Sequence, residues 1–370
     1  MNEAIIPSID PIALPAPVWL MQFLSGLTFI FHVIPMNVVL GGGVVALFLA
    51  VWGKRGSRKN HVRLARRMTS VLPAAIAMTI TLGVPPLLFL QAMYGPLFYT
   101  SSVLMAWPWL SVIAILLVGY YGHYYFSLSK DSANPRTLIV GAVAVVAFLV
   151  IAFLYVSNMT LMVMPERFLG IQRSWTSGFL PFTGDSIFAP RFLHFITGAV
   201  SVGGLLAVFV GLLERSDAEF KAVAVRAGGF TFVGATLVQI ATGIWFLLAL
   251  RPRVMMLFMG QDHVATALFG VAVLLALVAV ALILVAVIGK KRPWMTIAGT
   301  ACIGLTIIIM TVMRSIVREA YLGTRFVVAE QPVNPAWDVV VLFLVLLVAG
   351  AALVGWMIHA VVTRRGLAAS

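Results

Sequence analysis

The chain has 370 residues, 62% of them hydrophobic and only 10% charged, where a soluble domain carries about 25% charged residues. A net charge of +13 would suggest nucleic acid in a soluble protein. However, the sequence has no basic patch interleaved with exposed aromatics, no phosphate-binding glycine loop and no two-histidine metalloprotease motif, so nucleic acid is not an expected partner. The single cysteine, Cys302, excludes an internal disulfide, a cysteine-rich metal cluster and a C-x-x-C-H site for covalent haem c.

Apolar segments able to cross roughly 30 Å of hydrocarbon recur along the whole length. They predict an all-α, polytopic transmembrane helical bundle of about nine helices, forming one integral membrane domain over 1–370. Residues 1–19 carry Glu3, Asp10 and several prolines but no basic n-region, and read as an extracytoplasmic segment and not as a cleaved signal. Within it, 11–22 suits a stretch lying along the interface, with Trp19 at headgroup level. The first crossing, about 20–50, contains Pro35 and Gly41-Gly42-Gly43, which predict a kink and a smooth packing face.

In the second crossing, about 70–93, Gly83-Val84-Pro85-Pro86 predicts a break in the hydrogen-bond ladder where protein covers the freed carbonyls. The third, about 104–128, has Trp107 and Trp109 at one end and Tyr120 to Tyr125 with His123 at the other, as interfacial belts. The fourth, about 137–160, leads into the longest polar connection, 162–189, a predicted extracytoplasmic cap or docking surface. The remaining crossings fall at about 190–212, 227–250, 263–289, 294–315 and 336–359. A second outer surface, 314–335, is expected to build an amphipathic extension from Arg314, Arg318, Glu319, Arg325 and Glu330.

Charge fixes the expected orientation. With the N-terminus outside, the inner side receives the basic residues of 54–67, Lys130, Arg136, Arg215, Lys221, Arg226, 290–292, Arg364 and Arg365, which are 17 of the 25. Only Asp131, Glu214, Asp217 and Glu219 oppose them there, so this side carries the whole net charge. The positive-inside rule then favours an outside N-terminus, an inside C-terminus and an odd number of crossings, and the expected location is the cell inner membrane. The run 54–67 reads as a solvated topology anchor that also meets anionic lipid headgroups.

The histidines separate by depth. His32, His194 and His263 fall toward the outer side, His123 and His359 toward inner helix ends, and His61 within the basic run. A histidine in hydrocarbon is costly, and haem iron is one of the few reasons that needs imidazole. His32 lies among phenylalanines. Gly198, one turn below His194, would let a porphyrin plane approach the backbone, and Arg191, one turn above, would meet a propionate at the water boundary. The competing reading is a histidine hydrogen-bonded across helices or, for His263, satisfied by water. Methionines near the outer ends, Met162, Met164, Met255, Met256, Met259 and Met313, are alternative ligands or simple packing. No Asp or Glu falls at central hydrocarbon depth, whereas oxygen reduction at a buried site usually needs an intramembrane acid relay.

Phe31-His32 with Pro35 and Leu40-Gly41, together with His194, Gly198 and Gly203, resembles the pattern of subunit I of the cytochrome bd quinol oxidases. Leu87 to Gln91 with Tyr94 and Tyr99, and the segment Tyr155 to Met164, are similar to that family's second and fourth helix ends. The resemblance covers roughly 20–320. It implies that His32 ligates a haem of the oxygen-reducing pair and that His194 ligates the low-spin haem b that accepts electrons from quinol.

The sequence departs from the family at three places. Leu104 to Trp109 has no acid where the family carries one, and the quinol-binding loop is shortened to about 251–262. The family's methionine ligand falls near Thr266, one turn from His263, which would make His194 and His263 a bis-histidine pair. Arg314 stands where the family has an arginine near haem propionates. The expected function is therefore a haem b membrane subunit transferring electrons between quinone or quinol and an extracytoplasmic, multihaem c-type cytochrome, beside other membrane subunits. Tyr94, Tyr99, Arg167 and Arg173 are candidates for the quinone headgroup. The alternatives are an oxygen-reducing bd-type oxidase and a haem-free channel or transporter.

Overall fold

In hydrocarbon the backbone must satisfy its own hydrogen bonds, so long uncharged apolar runs become helices. The computed structural model describes residues 6, 13–129, 131–289 and 293–367, without the side chains of Thr324 and 357–367. Glu3, Asp10, Lys130 and 290–292, with the side chains of His359, Arg364 and Arg365, lie outside the described residues. The helices are α1 (Val18–Arg55), α2 (Lys59–Thr69), α3 (Leu72–Leu104), α4 (Ala106–Leu128), α5 (Pro135–Met162), α6 (Phe168–Gln172), α7 (Phe188–Leu212), α8 (Ala218–Ala249), α9 (Pro252–Met256), α10 (His263–Ile288), α11 (Pro293–Leu322) and α12 (Trp337–Leu367). Among the described residues, nine helical segments are long and apolar enough to cross a membrane. This is an all-α, multi-pass membrane protein.

α1 has 38 residues, about 57 Å at 1.5 Å per residue, and so extends well beyond the hydrocarbon thickness. α2 is amphipathic: Leu64, Ala65 and Met68 are buried, while Lys59 and Arg66 are exposed. Its apolar side joins Val45, Leu49, Phe126 and Phe220 in a cluster beneath what we term the basic face.

Three segments take a form that the sequence alone did not specify. Residues 13–17 form an extended segment tied to 332–336. The Leu14 N–H donates to Pro332 O at 2.8 Å, and the Asn334 and Ala336 N–H groups donate to Leu14 O and Pro15 O at 2.9 Å. Proline withholds helical donors there, so the extended chain pairs with the segment preceding α12, and α1 starts directly at Val18. α3 continues through Pro85-Pro86 and leaves helical geometry only at Tyr94 (φ −127°, ψ 28°). Proline's fixed φ fits a helix, and only the carbonyls one turn earlier lose their donors. α11 runs on unbroken to Leu322, so 314–322 continues the eighth long helix, and Ile316, Val317, Ala320, Tyr321 and Leu322 pack into the core opposite the basic face. In the 162–189 connection, Met162, Val163, Met164 and Phe168 are buried while Trp175 stands fully out.

The helices also repeat. α1 packs on α3 as α7 packs on α8, and α4 packs on α5 as α10 packs on α11. Each set has four crossings, so the two run in the same direction, and α12 is left over. The sets meet where α1 crosses α7. A Cβ on Gly41 would strike the Ala199 backbone, and one on Gly203 would strike the Gly41 backbone. Small residues allow this close helix approach in a membrane.

Candidate functional site

His32 lies on α1 and turns its ring to α3. Its Nδ1 is 3.0 Å from the carbonyl oxygen of Thr79. A carbonyl only accepts, so Nδ1 carries the proton and the Nε2 lone pair is left for another partner. One turn along α3 is Gly83, where a Cβ would stand 2.8 Å from Cε1 of the imidazole. Glycine is required there because the ring occupies the space a side chain would fill.

His194 repeats this arrangement on α7 and α8. Its Nδ1 is 3.0 Å from Gln239 O, and a Cβ on Gly243, again one turn further on, would stand 2.9 Å from Cε1. Each histidine precedes its crossing glycine, Gly41 or Gly203, by nine residues. The two imidazoles are therefore equivalent positions of one repeated unit, with the same tautomer and the same free nitrogen.

On the side away from the basic face, three arginines gather over these rings. Arg314 stacks 4.4 Å from the Phe29 ring centre, and Phe29 is itself 6.5 Å from the His32 ring. Arg318 lies 4.4 Å over the Tyr94 ring, donates to Ser315 Oγ at 3.3 Å, and keeps a buried Nε without a partner. Arg191, one turn before His194, donates to the Thr160 hydroxyl at 3.2 Å. Arg314 is close enough to Arg191 and Arg318 for their charges to repel.

Among the described residues no carboxylate pairs with any of the three. Glu166 is taken by Arg251 and Arg325, and Glu319 accepts from Gln22 at 3.1 Å. Arg318 is buried and Arg191 and Arg314 are half-buried, and like charges withdrawn from water without a counter-ion are unfavourable.

The other predicted residues separate from this arrangement. The space at Gly198 is filled by the Gln239 carboxamide, which would meet a Cβ there. His263 is exposed at the start of α10 behind the Asp262 N-cap, and no hydrogen bond or ring contact among the described residues joins it to His194. The Thr266 hydroxyl donates to Leu257 O at 3.1 Å and accepts from the Gly260 N–H at 3.0 Å, closing the turn before α10. Tyr94 is buried, whereas Tyr99, Arg167 and Arg173 are exposed. His123 is buried on α4, bonded through Nδ1 to Gly119 O at 2.9 Å.

Sequence reading missed Thr79, Gly83, Gln239, Gly243 and Arg318. The signal was present as a duplicated pattern, His32 with Gly41-Gly42 and His194 with Gly203-Gly204, followed by Thr79-x3-Gly83 and Gln239-x3-Gly243.

The chain is similar in structure to a chain of the bd oxidase from Geobacillus thermodenitrificans, at 13% identity and a TM-score of 0.70. The match covers 96% of this chain and 100% of that one. Its fold is a bd oxidase fold. No protein-family model and no curated protein matches the sequence. The bd oxidase likeness thus extends over the whole bundle, including both halves that carry the imidazoles.

Proposed function

We propose that the chain is a haem b membrane subunit of a respiratory complex, passing electrons between a membrane quinone and an extracytoplasmic c-type cytochrome. In this reading the basic face lies inward in the cell inner membrane. The observation that carries it is the duplicated imidazole position beneath a partly buried arginine cluster that pairs with no carboxylate among the described residues.

The residues fit the group. His32 and His194 each offer an Nε2 lone pair while Nδ1–H is held by a backbone carbonyl, the usual support for a metal-bound histidine. Arg191, Arg314 and Arg318 suit carboxylates such as propionates. Bound at these residues, haem supplies a one-electron redox centre. The Thr79 and Gln239 carbonyls fix ring orientation and raise imidazole basicity, and Gly83 and Gly243 let each ring edge come up against the neighbouring helix. The three guanidinium groups favour the electron-rich state of whatever they surround. For a quinone headgroup, Tyr99, Arg167 and Arg173 are the exposed candidates, while Tyr94 is closed off by Arg318. His263 remains a proposed opposite ligand to His194 and requires the turn before α10 to bring it inward.

The fold likeness favours a second reading, an oxygen-reducing oxidase. Against it, Glu219, Glu319 and Asp338 stand near helix ends and no other acid falls within a crossing. The test is the optical spectrum and haem content of the purified complex. The proposal expects b-type absorption, two haems per chain and no carbon monoxide-sensitive oxygen uptake. Oxygen uptake inhibited by carbon monoxide would select the oxidase, and a correctly assembled protein without Soret absorption would select the channel or transporter class.

A further inference from the structure

On the basic face, the α1–α2 turn, the first turns of α2 and the α4–α5 turn border an open cavity of about 480 Å³. Lys54, Arg58, Lys59, Arg63 and Arg66 line it, with Asp131 as its one acid. Asp131 is already engaged, accepting the Ala133 N–H at 2.9 Å. Arg63 is shared with Glu214 and Asp217, and Arg58 lies 4.1 Å over the Trp52 ring. Among the described residues Lys54, Lys59 and Arg66 make no ion pair and no side-chain hydrogen bond.

The same cavity is lined by Ser132, which is 1% exposed. Its hydroxyl is buried without a hydrogen-bond partner, a condition that normally requires an unseen acceptor or donor. Three free cations and an orphaned hydroxyl converge on one space, and a phosphodiester oxygen satisfies both. The cavity sits where α1 and α4 leave their apolar stretches, beside exposed Phe48, Trp52 and Leu128, so an anion held there would have apolar surface next to it for acyl chains.

We infer that this cavity is a specific site for the headgroup of an anionic phospholipid, with its phosphate held by Lys54, Lys59, Arg66 and the Ser132 hydroxyl. It is distinct from diffuse attraction of the basic face to acidic membranes, because it depends on these residues and on lipid tails.

The test is native mass spectrometry of the detergent-purified full chain, titrated with phosphatidylglycerol, phosphatidylcholine or inorganic phosphate. One phosphatidylglycerol per chain should be retained in preference to phosphatidylcholine, and equimolar inorganic phosphate should not displace it. Each juxtamembrane cation contributes about fivefold in affinity, so K59Q/R66Q should weaken retention roughly 30-fold. S132A should weaken it by a smaller factor, and R226Q, a cation of α8 outside the cavity, should leave it unchanged. Melting in phosphatidylcholine bicelles checks folding, and R66Q alone carries the test if the double variant melts early. Equal loss in R226Q would overturn the inference in favour of diffuse attraction. Displacement by inorganic phosphate would overturn it in favour of an ion site, and equal retention of phosphatidylcholine would exclude a site.

Discussion

The two four-helix units hold their imidazoles alike and surround them differently. At His194 an arginine lies one turn away on the same helix, Arg191. At His32 the equivalent position is Phe29, and the guanidinium arrives from the other unit, as Arg314 of α11. The accepting carbonyls differ as well: Thr79 lies in a helix carrying Pro85 and Pro86, whereas Gln239 lies in a helix without proline and fills the space at Gly198 with its own side chain. On the basic face the first unit inserts α2, and its Arg63 and Arg67 clamp Glu214 and Asp217 in the turn of the second. Both arginines also cover the Phe220 ring. The repeat thus preserves the imidazole geometry while charge and access are set separately; in the proposed haem reading this would give two similar centres different potentials.

The largest expected effect falls on the axis the units share. G41L or G203L would force a side chain into the backbone of the partner helix, an overpacking beyond the usual ~1–3 kcal/mol. Such variants should lose monodisperse protein on size exclusion. G270L, in open space, should purify normally, and normal yield of G203L would remove the close crossing from the account.

The comparison sharpens at the cradles. G83A should displace only the His32 ring and G243A only the His194 ring. Loss of such supporting contacts typically costs 10–100-fold in metal affinity. Haem titration of each variant should therefore weaken one of two sites, and simultaneous weakening of both would show that they are not independent.

Smaller shifts are expected from the arginines. R191Q should lower the midpoint potential of the centre at His194, and R314Q that of the centre at His32. The loss of one nearby charge is worth on the order of 1–2 kcal/mol, or roughly 50–90 mV. Spectroelectrochemical titration that finds unchanged potentials would place the cluster elsewhere in function.

The smallest effect lies in the clamp. The Ser216 hydroxyl, its backbone N–H and Arg67 hold the Glu214 carboxyl down at about 2, from an ordinary 4.5. A depressed carboxylate contributes stability that is complete above its ordinary value and is lost as pH falls from about 4.5 toward 2. E214Q should flatten that acid limb of the melting curve while leaving its shape above pH 6 unchanged. An identical acid limb in the variant would contradict the clamp.

Much of the bundle was legible because hydrocarbon demands uninterrupted apolar length, and such segments stand out in any window. His32, His194, Arg191 and Arg314 were legible because polar groups are conspicuous there. Thr79 and Gln239 were not, since they act through backbone carbonyls that every residue possesses. Gly83 was read as part of a helix break and Gly243 drew no reading, when the use of both is the absence of a side chain beside an imidazole. Arg318 was read from its charge as part of an outer surface, whereas the structure buries it over the Tyr94 ring.

The central claim is that His32 and His194 are two equivalent but separately tuned ligand positions. Electron paramagnetic resonance and redox difference spectra of wild type, H32A and H194A test it most directly. The account predicts two resolvable b-type signals in the wild type, with H194A removing a low-spin signal and leaving the other, and H32A doing the reverse. A single signal that survives both substitutions would contradict it.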